Sequence, residues 1–370
     1  MTRQQVAVVG AGVIGAAIAW AAVDAGFAVT VVDPRPRSGA SWVAGGMLAP
    51  ITEAWPGEER LLELGAASLE SWPDFARRLT GQGAEAGLRG EGTVVGAVDS
   101  ADRAELDRVA SYLAALDREV EVLTGRELRV LEPCLGRAVR AGLSVPGDLA
   151  VDNRTLLDSL LRVGAERGVV HRAEAASAVR TGGVELACGE VLACDIAIIA
   201  AGAASGALHP RLAGALRPVK GEILRLAARA GSLPPPKRTV RGLVQGRHAY
   251  LVPRDNGGLV LGATEYEAGF ETGPRVSGVR DLLADAELLM PAIADYELLE
   301  CAAGLRPGSV DNLPVLGWLA PGVLAATGHG RNGILLTPVT VDTVLALLRD
   351  KPVPEPAAFA DPARLEGKTA

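Results

Sequence analysis

Four cysteines and four histidines are few for a chain of 370 residues. Cys134, Cys188, Cys194 and Cys301 form no CxxC pair, and none stands at metal-ligand spacing from a histidine. No metal site and no disulfide framework is expected, and reduced thiols in a cytoplasmic protein are. Positive charge is also short: 37 Lys and Arg against 44 Asp and Glu leave a net charge of -7. A nucleic-acid partner is excluded by the lack of a basic field. No internal repeat occurs. One uncharged run, 6–23, reaches the length of a membrane span, but Gly10, Gly12 and Gly15 interrupt it. A second apolar run, 28–32, follows at once and ends on Asp33. Together they read as strand, turn, helix and strand, so neither a leader nor a membrane segment is expected.

What is present is apolar material for a large core. Hydrophobic residues make up 49% and charged residues 22%, which excludes general disorder, and the length suits about two domains. Periodicity predicts strands at 6–9 and 28–33 around a helix at 16–25 that Gly26 closes. Amphipathic helices are expected over 58–78, 101–116 and 155–167, and one strand over 190–201, broken by Gly202. Residues 219–226 and 239–262 alternate as an antiparallel sheet does, with Asp255-Asn256-Gly257-Gly258 as a hairpin turn. Pro234 to Pro236 is a stiff connection, and the tail from Pro352 reads as a surface wrap or a partly disordered segment. The fold class is α/β. A Rossmann-like domain from 1–75, 145–210 and 300–370 is expected beside a second domain, an antiparallel sheet with helices, from 76–144 and 211–299.

Gly10-Ala11-Gly12-Val13-Ile14-Gly15 follows the first strand and opens the first helix, which is where a dinucleotide-binding turn belongs. The first glycine makes the turn, the second admits a pyrophosphate to the backbone, and the third lets helix and strand pack. Asp33, 18 residues beyond Gly15, stands where a carboxylate accepts hydrogen bonds from a ribose. This signature suits NAD and FAD alike. Two further runs of small residues favour FAD: Ser38 to Ser41 with Ala44-Gly45-Gly46-Met47, and Thr327 to Gly333 before an apolar helix ending near Leu348. That helix starts between Asn332 and Thr337, and its N-terminal loop, from His329 and Gly330 to Ile334 and Leu335, offers amides to an anionic ring edge.

In order and spacing, several motifs resemble the D-amino acid oxidase superfamily of flavoenzymes, and within it the glycine oxidases of thiamine-thiazole biosynthesis. They are GAGVIG at 10–15, AGGML at 44–48, AIIAAG at 197–202, PVKGE at 218–222, AYLVPR at 249–254, LGAT at 261–264, AGLRPGS at 303–309 and GHGRNGILLTP at 328–338. The resemblance implies oxidation of glycine, or of sarcosine or a small D-amino acid, by hydride transfer to flavin N5. Imine, then glyoxylate and ammonia, would form, with oxygen returning hydrogen peroxide. It also implies that Arg306 holds the substrate carboxylate, that Tyr250 adds a hydroxyl, that His248 and Arg331 stand near the substrate, and that Met47 and His329 border the flavin. FAD contacts would further include Val13, Ile14, Pro34, Ala40, Ser41 and Ala176, and a homo-oligomer is implied.

A planar guanidinium suits a carboxylate better than an ammonium does, and Leu-Arg-Pro-Gly reads as a rigid turn that would hold Arg306. For Tyr250 a place in the core is an equal reading, and His248 and His329 are most simply read as partly buried scaffold or hydrogen-bond partners. Two positions depart from the family pattern. Glu265 stands where some glycine oxidases carry methionine. Gly304 stands where sarcosine oxidases tether flavin through cysteine, and Cys301 is displaced from that place, so non-covalent FAD is expected. A D-amino acid or sarcosine oxidase, or a dehydrogenase with a different electron acceptor, remains the alternative.

Overall fold

The computed structural model describes residues 3–366. Its first strand, Gln5–Val9, runs parallel to Ala28–Val32 on one side and Ile196–Ile199 on the other. These are the middle of a six-stranded sheet with Val170–Arg172 at one edge and Val323–Thr327 and Val315–Ala320 at the other. Only the last pair is antiparallel. The helix Val13–Asp24 packs against the helices Asn153–Glu166 and Thr337–Leu348, and ten of its twelve residues are buried. A helix covered on every side has no polar face, which is why this stretch carries membrane-like hydropathy. Trp20, fully buried, meets Phe75 of the helix Glu59–Thr80 edge to face at 5.4 Å. No described helix is long and apolar enough to cross a membrane.

The eight-stranded sheet runs Glu297–Ser309, Leu216–Ala227, Gly258–Gly262, Arg247–Pro253, Thr239–Val244, Thr93–Ala97, Ala141–Val145 and Glu121–Thr124. It is not wholly antiparallel as expected, because Thr239–Val244 and Thr93–Ala97, joined through distant parts of the chain, pair in parallel. Leu224, Val240, Leu251 and Leu261 face the helix Val276–Leu289. On the other face Ile223, Val252 and Val260 meet Val43 and Met47 from the nucleotide side. This period-two division between two hydrophobic cores places Tyr250 on the face turned toward the six-stranded sheet.

Two expectations need correction, and the tail takes the first of its two expected forms, a surface wrap. The stretch 190–201 is two strands: Val191–Ala193 pairs with Gly183–Leu186 in a small sheet, and Ile196–Ile199 enters the six-stranded one. The corner is held by Asp195, whose Oδ2 accepts the Gln5 N–H at 2.7 Å. Arg306 is in a strand, not a turn, and Pro307 pairs across the ladder with Pro218, so two residues without an N–H face each other. The tail is packed through residue 366: Ala357 and Ala360 are core residues, and Arg364 donates to Asp311 and to the Leu313 carbonyl. Residues 367–370 of that tail lie outside the described residues.

Asp148 is fully buried and accepts a hydrogen bond from Thr52 at 3.0 Å. Burial pushes its carboxyl up to about 7, and the Thr52 bond offsets only part of this. The folded state thus holds a proton that the unfolded chain releases near pH 4, and stability drains away as pH rises from about 4 to about 7. Asp148→Asn is expected to raise the melting temperature at pH 8 by a few degrees and to change it less at pH 5, which thermal melts at the two pH values will check.

Candidate active site

One cavity of about 790 Å³ lies between the two sheets. On the six-stranded side it is lined by 9–14, Asp33, Pro34 and the segment 37–47, followed by Ala175, Ala176 and 200–204. Gly10 has φ +106°, and a Cβ there would lie 2.4 Å from the Ala200 carbonyl oxygen, so the turn and the neighbouring strand both require glycine. A Cβ on Gly15 would lie 1.9 Å from the Gly10 carbonyl oxygen, and Gly15 accordingly serves packing and stays outside the lining. Asp33 Oδ2 accepts the Ala11 N–H at 2.7 Å and Oδ1 the Arg35 N–H at 2.8 Å. These bonds fix the carboxylate at the strand end and use two of its roughly four lone-pair sites. Ser41 Oγ accepts the Val13 N–H at 3.0 Å, so the short helix Ala40–Val43 is tied directly to the glycine turn.

Gly45 and Gly46 line the cavity too, and their smallness also makes room for neighbouring groups. A Cβ on Gly45 would lie 2.8 Å from the Tyr250 ring, and one on Gly262 2.4 Å from it, so the ring lies between two glycines. Gly46, at φ +81°, abuts the Val151 carbonyl. Burial raises the Tyr250 pKa, with Arg306 opposing, and keeps the phenol a hydrogen-bond donor. The Arg306 guanidinium lies across Gly221, where a Cβ would come within 2.5 Å of its central carbon. It spends one of its five donors on the Thr264 carbonyl at 3.3 Å.

At the cavity mouth His248 meets Trp55 edge to face at 5.6 Å. Partial burial and Arg241 lower its pKa, which favours the neutral ring. Arg331 is already paired, donating to Glu58 at 2.6 Å and standing 3.5 Å from Glu53. Glu53 also receives Arg241 at 2.7 Å. His329 is buried against Thr340 at 3.0 Å, and burial drives its pKa down to about 3, leaving a neutral ring that bonds but does not titrate near pH 7. Gly202, Gly330, Gly333 and Ile334 line the cavity, whereas Asn332 and Leu335 lie behind it. The Leu335 carbonyl accepts from Ser68 and Trp72 instead. The helix proper starts at Thr337, the late end of the expected range, because His329 to Leu336 wind as a 3-10 turn and loop before Pro338.

Sequence reasoning missed the Glu53, Glu58 and Arg241 network, together with Trp55 and Phe270, which also line the cavity. Their partners are far apart in the chain, and the 49–58 loop has no periodic pattern to single it out. Among the described residues no group of three or more His, Cys, Asp or Glu could hold a metal. No cysteine lines the cavity, while Met47 does. Burial raises the thiol pKa of Cys134 to about 12 and is also the leading cause of the upward shifts at Cys194 and Cys301.

The residues fit FAD. Glycines whose Cβ positions are already filled by backbone open one end of the cavity, a ribose-type carboxylate stands beside them, and the volume lies within the range of cofactor pockets. The model of the FAD dependent oxidoreductase family matches residues 5–345. A glycine oxidase of Pseudomonas aeruginosa is 33% identical, over 98% of this chain and all of that protein. The bifunctional ThiO/ThiG protein of Synechocystis is 32% identical over 95% of this chain, which spans 52% of that protein. The crystal structure of glycine oxidase from Geobacillus kaustophilus superposes with a TM-score of 0.89 at 30% identity, covering 98% of each chain. An iminodiacetate oxidase from Chelativorans superposes at 0.85 with 25% identity, over 96% of this chain and 98% of that one. The chain belongs to the FAD-dependent oxidoreductase family and is an FAD-dependent enzyme of the amino acid oxidase type.

Proposed function

We propose that the protein oxidises the amine of a small amino acid, glycine foremost, to the imine, with oxygen as the final electron acceptor and hydrogen peroxide as its product. The observation that carries this reading is the Arg306 guanidinium on the eight-stranded side of a cavity whose other side is a dinucleotide turn. The kinship with glycine oxidases supports glycine, and that with the ThiO/ThiG protein supports a role in making the thiamine thiazole. A cytoplasmic location and a homo-oligomer belong to the same proposal.

Arg306 would take the substrate carboxylate through two parallel N–H···O bonds, and the Tyr250 hydroxyl would add a third. Fixing the carboxylate aims the α-carbon, and orientation of this kind accounts for a large part of rate enhancement in bound pairs. A neutral His248 presents a ring nitrogen that can accept the proton the substrate ammonium must lose. Trp55 and Phe270, both exposed, add apolar surface to the lining. FAD, when bound, supplies the two-electron acceptor. Gly12 and Asp33 would hold its ADP half, with Pro34, Ala40, Ser41 and Ala176 beside it. Met47, His329 and Gly330 would border its ring.

Anaerobic addition of glycine is expected to bleach the flavin absorbance, and admission of oxygen to restore it with release of peroxide. Bleaching by sarcosine or D-alanine but not by glycine would move the substrate. Recovery only with a quinone or dye would replace the acceptor. Gly304 is packed against Ala40 and Val43, with a virtual Cβ 3.1 Å from the Val43 side chain, and leaves no thiol for a tether. Acid-denatured protein should therefore release its yellow colour into the supernatant, and colour in the pellet would contradict non-covalent binding.

A further inference from the structure

We infer that Glu265 sets the charge preference of the substrate site: it favours amino acids whose side chain or N-substituent is neutral or cationic and disfavours those ending in a second carboxylate. The inference rests on reading Arg306 as the carboxylate anchor. Three observations carry it.

Glu265 lines the cavity one residue beyond Thr264, whose carbonyl takes the Arg306 bond. Its carboxylate makes no hydrogen bond or ion pair with any described residue, and its charge is felt by His248 inside the same cavity. The other charged groups of this half are already balanced, since Glu53 and Glu58 face Arg241 and Arg331 at 2.6 to 3.5 Å. Once a substrate carboxylate neutralises Arg306, Glu265 is the charge left over.

The segment that carries Glu265 is also held in place. Glu222, fully buried, accepts the Thr264 hydroxyl at 3.0 Å on one oxygen and the Arg275 N–H at 2.7 Å on the other. Lys220, equally buried, reaches Glu271 at 3.3 Å and the Gly273 carbonyl. Both ends of the arch 264–275 are thereby pinned to one strand, and Phe270 and Thr272 in the arch line the cavity with Glu265. The Glu265 side chain is exposed, but these bonds fix the backbone that carries it at the cavity wall. A second carboxylate on the substrate would meet Glu265 without a counter-ion, and a distal ammonium would supply the missing partner.

The test uses three acids that lack an α-amine and differ only at the far end: butyrate, 4-aminobutyrate and succinate. Each offers one carboxylate to Arg306, and binding to the FAD-loaded protein is read from the change in flavin spectrum, independently of turnover. The expected order of affinity is 4-aminobutyrate, butyrate, succinate. In Glu265→Gln the ratio of the succinate to the 4-aminobutyrate Kd should fall at least about tenfold, the scale of one partly screened charge. Glu265→Asp should keep the order. An unchanged ratio in Glu265→Gln would overturn the inference while leaving the anchor intact. Failure of all three acids to perturb the spectrum would overturn the anchor reading and the inference with it, while bleaching by glycine would still report separately on oxidation.

Discussion

Arg306→Ala is expected to lower kcat/KM for glycine by about two to three orders of magnitude while FAD content stays at the wild-type level. Removing one partner of a desolvated, hydrogen-bonded charge pair costs about 2–5 kcal/mol, and each 1.4 kcal/mol is a factor of ten. The loss should fall mainly on KM if the carboxylate is held alike before and during the reaction, and on kcat as well if it aims the α-carbon. Arg306→Lys should recover only part of the loss, because an ammonium cannot reproduce two parallel bonds. Folding is not at stake, since the guanidinium lies across Gly221 at a cavity wall and makes a single long bond to Thr264. Steady-state kinetics with a flavin-to-protein ratio will check both halves, and an unchanged kcat/KM would remove Arg306 from the site.

Gly10→Ala is expected to yield protein with little bound FAD and a sharply lower melting temperature. Two costs add there. The backbone sits at φ +106°, where a Cβ is strained by roughly 1–2 kcal/mol. The new carbon would also meet the Ala200 carbonyl oxygen at 2.4 Å, its carbon at 2.7 Å and the Ala201 Cα at 2.9 Å. None of these is a side-chain tip that can swing away, so the strand Ile196–Ile199 or the turn must shift, at about 1–3 kcal/mol more. Gly26→Ala is the control. It has a similar φ of +98° with nothing within 4 Å, and should lose stability but keep its flavin. Equal flavin loss in both variants would show that backbone strain alone, and not the fit of turn to strand, governs binding.

Local signals were legible in the sequence and distant ones were not. The strand, glycine turn and helix over 5–24 could be read because the buried run, the turn glycines and the closing Gly26 are all close neighbours. The hairpin at Asp255 to Gly258 was equally plain, and Asn256 does take φ +60°. Arg306 was singled out with the wrong backbone, because Pro and Gly around it speak for a turn when the opposing Pro218 is not considered. The break at Asp195 was hidden because a strand edge and a buried strand are both apolar, and only the burial pattern, alternating at 191–193 and continuous at 196–199, separates them. Glu53 could not be found at all: its partner Arg241 is 188 residues away, and a loop glutamate carries no mark of the arginine it will meet. Gly45 and Gly46 read from sequence as small residues at a cofactor, and only the folded chain adds that Tyr250 and the Val151 carbonyl fill the space where their side chains would be.

The placement of sulfur decides how this protein would age under its own product. Peroxide released by the proposed reaction attacks thiolates far faster than thiols, and Cys134, Cys194 and Cys301 are all held toward the thiol form and away from the cavity. Met290 is sealed in the core of the eight-stranded sheet. Among the described residues Met47, packed beside Tyr250, is the sulfur in the cavity lining, while Cys188 is exposed elsewhere on the surface, so peroxide formed in the cavity would reach Met47 first. Its conversion to a polar sulfoxide would place a dipole among Val43, Ile223 and Val260, where the two halves of the molecule close on each other. The working life of the enzyme would then be counted in turnovers rather than in hours.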